Sequence, residues 1–533
     1  WDLRKELSFT VFEEVVESMP VKAVGAGGFS ISLLKRAPTD VRKVVWRAMV
    51  GDATRATFDP DWRRVMYALL VKPLPNRADV VSQRREIALM AIEMKLLLQC
   101  VRRTCYSRMA GRIHSSAMGW LATYGCTDLG ICAAHVTDQA RLLGHELYLL
   151  YVDLATFFPK IQRGPLRAAK LAHGLPRVVV DLAGLIYGRH KGDPACVTCH
   201  YDSAAGLGGG FANHMGSLMG CVLSTEDARI FLNSLITAIF AVARGVRLWG
   251  YAEADVEATW AELCQLVLAD DWLGCFTRVK EVRRAWAMLS TWEPCSGAEI
   301  GIKAAAKTVL SGVRWGSDGK PRPIGFLRLC TADGRTVPII GAHEAYKHLG
   351  RLRRADGSCF AERQAFFKKV KHAVVLIRGM RKPTRFALML VSDALIVGLA
   401  GFYLQTLHIT WAEAEKLEAL WRSAANKALG RKRDTPRLEF YLPGAGRTHL
   451  FAVNLSAKMG AGCRAMGDLE GTPQRGAARS ALALASARWG CCGDLAEWKF
   501  GHIADELEQA LGHAHHRTFG EGWLLAWALC EKT

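Results

Sequence analysis

The chain has 533 residues, half of them apolar, with a formal net charge of +20 and a pI near 9.4. That length excludes one simple core, so two or three domains or subdomains are expected, and the apolar half is ample for packed interiors. The cationic excess points to a polyanionic partner, nucleic acid first. The 16 cysteines are scattered along the chain with no secretory signal, and they read as reduced thiols of the cytoplasm or nucleus. The sequence opens on Trp1 without a Met, as a fragment of a longer reading frame would, so N-terminal targeting is not legible.

In chain order, residues 1–20 carry helical spacing, and 21–38 read as a Gly-rich turn leading into a helix. Residues 59–75 read as a turn and then a strand that ends at Lys72 and Pro73. Residues 82–103 begin extended and continue as a helix bearing Lys95. The run "HELYLLYVDLATFF" (145–158) is a β-rich apolar segment with Asp153 at its end. Residues 256–279 start helix-like and finish as two short apolar runs flanking Asp270 and Asp271, which predicts a β-hairpin with the acids at its turn. Two apolar stretches, 230–243 and 386–404, are expected to be core helices rather than membrane spans. The first is too short, and the second holds Asp393 in its middle. Beyond residue 350 the pattern is mostly helical, and Lys and Arg crowd 351–385.

Adjacent carboxylates in an apolar setting raise each other's pKa and are costly to bury. If the strand ending at Asp153 neighbours the hairpin, three carboxylates meet at one sheet edge. Divalent cations would neutralise them. Two Mg²⁺ ions suit Asp oxygens with open positions, Mn²⁺ being the alternative, and such a pair supports in-line phosphoryl transfer.

An ordered series of motifs runs from Lys22 to Leu352. It comprises "KAVGAGG" (22–28), "PDWRRVMYALLVKP" (60–73), "REIALMAIEMK" (85–95), "YVDLATFF" (151–158), "GSLMGCVLS" (216–224), "LADD" (268–271), "GAEIGIKAAAKT" (297–308) and "YKHLG" (346–350). This series resembles the reverse transcriptases, most closely those of LINE-type (non-LTR) retrotransposons. The chain departs from the family at Val24 and Gly27, at Met219 where the family has Gln, at Thr225 for Pro and at Leu268 for an aromatic residue. Met lacks the hydrogen-bonding capacity of Gln.

The resemblance implies an α+β right-hand polymerase with fingers, palm and thumb, an antiparallel palm sheet and a mostly helical C-terminal region. Fingers and palm would occupy 1–350, a basic helical thumb 351–430, and a last helical domain of unknown role 431–533. Asp153, Asp270 and Asp271 would be the catalytic metal ligands. Lys72 and Arg85 would bind the triphosphate, the Arg fork matching phosphate oxygens. Phe158 would lie under the sugar and exclude a 2′-hydroxyl, which argues against an RNA-dependent RNA polymerase. Gly216 and Gly220 would let backbone approach the template–primer, and Lys307 would protonate departing pyrophosphate. Tyr346, Leu349 and Gly350 would hold the primer end.

The implied activity is RNA-directed DNA polymerisation during retrotransposition, with an RNA template, a DNA primer or target and dNTPs as partners and no membrane. Oligomeric state is not legible. The rival readings are a decayed copy without activity and a maturase-like RNA-binding protein. "CVTCH" (196–200) lacks a second Cys/His pair at finger spacing. The cysteines from 491 and "HAHH" (513–516) fit no zinc pattern well.

Overall fold

The computed structural model describes residues 2–21, 30–55, 57–59, 61–71, 84–119, 125–187, 198–203, 206–207, 209–212, 216–248, 262–302, 307–325, 327–431, 449–467, 473–488 and 523–526. These residues form an α+β protein divided into two compact units that the chain enters more than once. The first unit comprises Trp1–Trp120, Asp153–Ala241 and Trp286–Gly301; the second comprises Leu121–Val152, Val242–Ala285 and Ile302–Thr533.

In the first unit, the strands Arg64–Val71 and Arg84–Met90 pair antiparallel, with Val65 opposite Met90 and Tyr67 opposite Ala88. All four of those side chains are buried, so the period-two pattern turns one face of the hairpin inward. Thr198–Ser203 joins Arg64–Val71 in parallel register. The helix Ile92–Val101 is apolar nearly all round and correspondingly buried, with Met94, Leu96, Leu97 and Leu98 packed into the core that also holds Phe12 and Val16. The helix Ser224–Val242 buries Ile230, Phe231, Leu232, Leu235, Ile236 and Ile239, as expected of a core helix.

The second unit is built on a sheet whose strand order is Pro321–Arg322, Val309–Trp315, Leu147–Asp153, Asp271–Phe276, Gln265–Leu268, with Ile339–Ile340 also paired to Val309–Trp315. Val309–Trp315 runs antiparallel to Leu147–Asp153, placing Val309 opposite Tyr151 and Val313 opposite Leu147. Every residue from Leu147 to Val152 is buried, so both faces of this strand are covered and its sequence reads as an unbroken apolar run.

The helical part of the second unit follows residue 350. Phe360–Arg378 turns Phe366, Val370, Ala373 and Ile377 into a core shared with Trp421 of the helix Trp411–Ala428. Its outer face carries exposed Lys368, Lys369, Lys371 and His372. Lys458 is fully buried, and its ammonium donates to the carbonyls of Leu404 (2.8 Å) and Leu407 (2.9 Å), closing a helix end.

One expectation is corrected. The segment Arg385–Tyr403 is long and apolar enough to cross a membrane by length and composition, but it is not a buried core helix: 28% of its apolar window is buried. Phe386 and Leu390 lie exposed. Leu388, Ser392, Ile396 and Ala400 are the inward positions. Their spacing of four exceeds the α-helical 3.6 because Asp393–Val397 forms a π-helical turn, which widens the repeat.

Candidate functional site

In the first unit, Asp153 is the last residue of its strand, and the chain then reverses quickly. The Asp153 carbonyl accepts the Gly301 N–H at 2.8 Å, and Ala155 donates to the Glu299 carbonyl at 2.8 Å. A Cβ at Gly301 would stand 2.9 Å from the Asp153 carboxylate, so this glycine leaves the space that the acid occupies. Thr156 takes a left-handed φ of 50° and starts the short helix Phe157–Lys160. A non-glycine residue in that region carries strain of about 1–3 kcal/mol, which surrounding contacts must hold. Phe157 is buried against Phe231, with ring centroids 6.1 Å apart. Phe158 is half-buried and meets Phe157 edge-on at 5.6 Å.

The "GSLMG" turn joins this helix to the Arg84–Met90 strand. At one end Ser217 donates to the Phe158 carbonyl at 2.9 Å. At the other, Ala88 donates to the Met219 carbonyl at 2.6 Å. Gly216 (φ 71°) and Gly220 (φ 105°) make both approaches sterically accessible. A Cβ would stand 2.4 Å from the Pro159 carbonyl at Gly216 and 2.7 Å from the Ala88 carbonyl at Gly220. The room these glycines provide is thus filled by the chain's own backbone. Behind the turn, Lys170 and Asp227 form a buried ion pair at 2.7 Å, and Tyr106 donates its hydroxyl to Asp227 at 2.7 Å. Arg85 lies on the same strand three residues before Ala88, opposite Leu70. Lys72 and the Gly-rich stretch 22–28 fall outside the described residues.

In the second unit, Gln265–Leu268 and Asp271–Phe276 form a two-residue hairpin in which Asp271 pairs with Leu268. Asp270 sits in the turn and Asp271 opens the second strand; both are half-buried. Ala269 holds φ 58°. Two-residue hairpins demand positive φ at their first turn position, and a residue other than glycine there stores strain. Packing holds the turn in place: Trp272, Leu273, Cys275 and Phe276 are buried, and the Trp272 indole N–H donates to Gln265 at 2.8 Å. Gly274 accommodates the rings on either side, since a Cβ there would stand 2.4 Å from Trp272 and 2.6 Å from Phe276. Burial, and after it the Asp271 charge, pushes the Cys126 thiol above its ordinary pKa.

Also in the second unit, "YKHLG" is a hairpin joining Tyr346–His348 to Arg351–Arg353, with His348 opposite Arg351. Leu349 (φ 48°) and Gly350 (φ 82°) both take positive φ, the signature of a type I′ turn. Tyr346 packs against Tyr151 with tilted rings 4.4 Å apart and donates its hydroxyl to the Lys307 carbonyl. The Lys307 side chain is exposed. Tyr403 donates to the Gly350 carbonyl at 3.1 Å. Arg351, fully buried, pairs with Glu362 at 3.0 Å, donates to Thr406 at 2.6 Å and lies over the Phe402 ring at 4.6 Å. The hairpin is therefore tied to the helices that follow it.

Among the described residues, no group of three or more His, Cys, Asp or Glu is arranged to hold a metal ion. The acid pair nevertheless has the right donor chemistry for Mg²⁺, which binds through one or two carboxylates and completes its shell with waters and substrate phosphates. Asp270 and Asp271 would be those protein ligands. Cys199 of "CVTCH" is buried, and burial pushes its thiol up to about 11, the state of an inert core cysteine. Cys196, the cysteines from 491 and the histidines of 513–516 lie outside the described residues.

Sequence reasoning missed four contributors: Gly301, the Met219 carbonyl, Ala269 and Arg351. Gly301 was visible as a glycine inside a motif. The other three have no sequence signal, because a backbone carbonyl, a φ angle and a buried guanidinium depend on what packs against them.

No family model and no curated protein matches the sequence. Solved structures resemble it at low identity, two telomerases among them. One is apo telomerase from Candida tropicalis truncated from its C-terminal domain, 13% identical at a TM-score of 0.32, covering 52% of this chain and 56% of that one. The other is telomerase from Candida albicans in complex with a TWJ fragment of telomeric RNA, 12% identical at a TM-score of 0.34, covering 79% of this chain and 66% of that one. The chain thus spans less than two thirds of either. Likenesses this distant leave the functional reading to rest on the chain's own residues.

Proposed function

We propose that the chain is an RNA-directed DNA polymerase of the LINE-type retroelement kind, extending a primer 3′-hydroxyl with dNTPs on an RNA template. One observation carries the reading: the strand that ends in Asp153 neighbours the strand that begins with Asp271 in the sheet order. Asp270 occupies the turn just before that second strand. Asp270 and Asp271, adjacent in that hairpin, would be metal ligands, and Asp153 is the third catalytic carboxylate that the resemblance assigns. Bound Mg²⁺ would supply Lewis acidity toward the primer hydroxyl and the departing pyrophosphate.

The remaining roles belong to this chain's own groups. Phe158, half-exposed and braced by Phe157, would floor the sugar and reject a 2′-hydroxyl. Arg85, on the strand tied to the "GSLMG" turn, would clamp triphosphate oxygens, and Lys72 would assist it. Lys307, exposed, would donate a proton to pyrophosphate. The hairpin with Tyr346, Leu349 and Gly350 would support the primer end. The basic face of Phe360–Arg378 would hold the duplex by phosphate contacts that carry no sequence information. Such a protein acts in the nucleus or cytoplasm.

Primer extension on poly(rA)–oligo(dT) with dTTP and Mg²⁺ tests the proposal. Extension that disappears on chelation of the metal is the expected result. A well-folded chain that binds template–primer and adds no nucleotide overturns it in favour of a decayed copy or a maturase-like RNA-binding protein.

A further inference from the structure

A cleft of about 610 Å³ lies within the second unit, away from the acid pair. Its walls come from the residues just before the Leu147–Asp153 strand, from 244–247 and Glu262, and from the first turns of the helix Val279–Ser296. The strand Asp271–Phe276 begins at the acid pair and leads to Thr277 and Arg278 in the cleft wall. Those six residues put the cleft roughly 20 Å along the sheet from the turn, at about 3.3 Å per residue.

Five cations line the cleft: Arg244, Arg247, Arg278, Lys280 and Arg284. All five side chains belong to exposed residues. The three carboxylates among them are already engaged. Glu146 pairs with Arg314 at 2.8 Å and accepts the Tyr148 hydroxyl at 2.9 Å. Glu262 accepts the Gly245 N–H, and buried Glu281 accepts the Arg244 N–H at 2.9 Å. Lys280 and Arg284 stand 3.8 and 3.5 Å from Glu281, too long for good charge-assisted hydrogen bonds. Arg278 forms no ion pair among the described residues. The excess of positive charge that faces the solvent of the cleft is thus carried by Arg278, Lys280 and Arg284.

Two features select the ligand. No apolar side chain lines the cleft among the described residues and its one aromatic ring there is that of exposed His145, so the walls offer cations far more than an apolar seat for a base. The cations come from two separate segments, 244–247 and 278–284, and share the cleft wall with the engaged acids, which suits phosphates strung along a chain better than one compact polyphosphate. We propose that this cleft binds the phosphate backbone of a single-stranded nucleic acid, without regard to sequence, as a second contact separate from the polymerase site. Such a contact would hold template strand that is not being copied.

The test is a lysine-acetylation footprint of Lys280 on the full chain with oligo(U)20, without dNTPs or metal. A chain that extends no primer still answers it, so failure of the proposed polymerase activity and failure of this site are separable. Protection of Lys280 by at least about fivefold is expected. Oligo(dT)20 should protect equally, because the contacts are to phosphate. Arg278→Ala/Arg284→Ala should abolish that protection with an unchanged melting temperature, and Arg278→Lys/Arg284→Lys should retain it. The slope of log K against log salt should flatten by about 1.4 in the alanine pair, at about 0.7 per single-strand phosphate contact. Equal acetylation of Lys280 with and without oligonucleotide overturns the proposal. So does protection by inorganic tripolyphosphate where oligo(U)20 gives none, which would mark a small-anion site instead.

Discussion

The Ala88 amide donates to the Met219 carbonyl at 2.6 Å, so the turn between Gly216 and Gly220 is tied to the Arg84–Met90 strand through main chain alone. Met219 therefore contributes a group that every amino acid has. Met219→Gln is expected to leave stability within about 0.5 kcal/mol of the wild type, as for substitutions away from packed or buried polar features. Gly220→Ala is expected to cost about 1–3 kcal/mol, because φ is 105° and the new Cβ would meet the Ala88 carbonyl at 2.7 Å. Thermal unfolding of the two variants checks this, and a Gly220→Ala protein as stable as the wild type would show the docking to be wrong.

Asp270→Asn keeps the shape of the hairpin turn and removes one negative charge. Primer extension should fall by at least about a thousandfold, while template–primer affinity holds or rises slightly, since an acid near phosphate has gone. Extension assays beside a salt titration of binding decide the matter. Robust extension by the variant would remove Asp270 from the catalytic set.

Phe158 is half-buried, and its neighbour Phe157 carries the core contact with Phe231. Truncating Phe158 should therefore spare the fold. Phe158→Ala should incorporate rNTPs while retaining much of the dNTP activity, measured by single-nucleotide extension. Equal use of rNTPs and dNTPs by the wild type would sink the role given to this ring.

Arg351 and Glu362 form a buried pair beside the Leu349–Gly350 turn. Arg351→Met should destabilise the second unit by about 3 kcal/mol, because buried Glu362 loses its close partner and keeps only Arg353 at 3.8 Å. The double change Arg351→Met/Glu362→Leu should recover a substantial part of that loss. Melting temperatures of the three proteins test the pair, and a double variant less stable than the single one would contradict the argument.

Burial holds three histidines below their ordinary pKa: His114 at about 4, and His135 and His348 at about 3. Each is neutral when folded and takes up a proton more readily when unfolded. Their stability contribution is complete above pH about 6.5 and is lost as pH falls toward the folded values, by about 1.4 kcal/mol per unit for each. Melting temperature should drop steeply between pH 6.5 and 4.5. His135 hydrogen-bonds Ser480 at 2.7 Å, and His135→Gln should flatten the drop by about a third. An unchanged slope would mean that His135 does not titrate on unfolding.

Much of the local structure was legible in the sequence. The strand read within 59–75, the apolar run before Asp153 and the two apolar stretches around Asp270 each became the strands expected of them. Such elements are set by whether one face or both must leave water, and that is written in the order of apolar residues. The turn at Leu349 and Gly350 was expected only from the resemblance of "YKHLG" to a family motif, since Leu349 takes a positive φ that local pattern does not announce. The segment 386–404 misled, since its composition fits a buried helix while a π turn and partial packing leave Phe386 and Leu390 outside. The strand order that makes the Asp153 strand a neighbour of the Asp271 strand was decided only by tertiary structure. So were the Met219 carbonyl's partner, the space beside Gly301 and the cluster of cations around Arg278. Each depends on groups far apart in sequence, and local pattern carries information about burial, not about which buried surfaces meet.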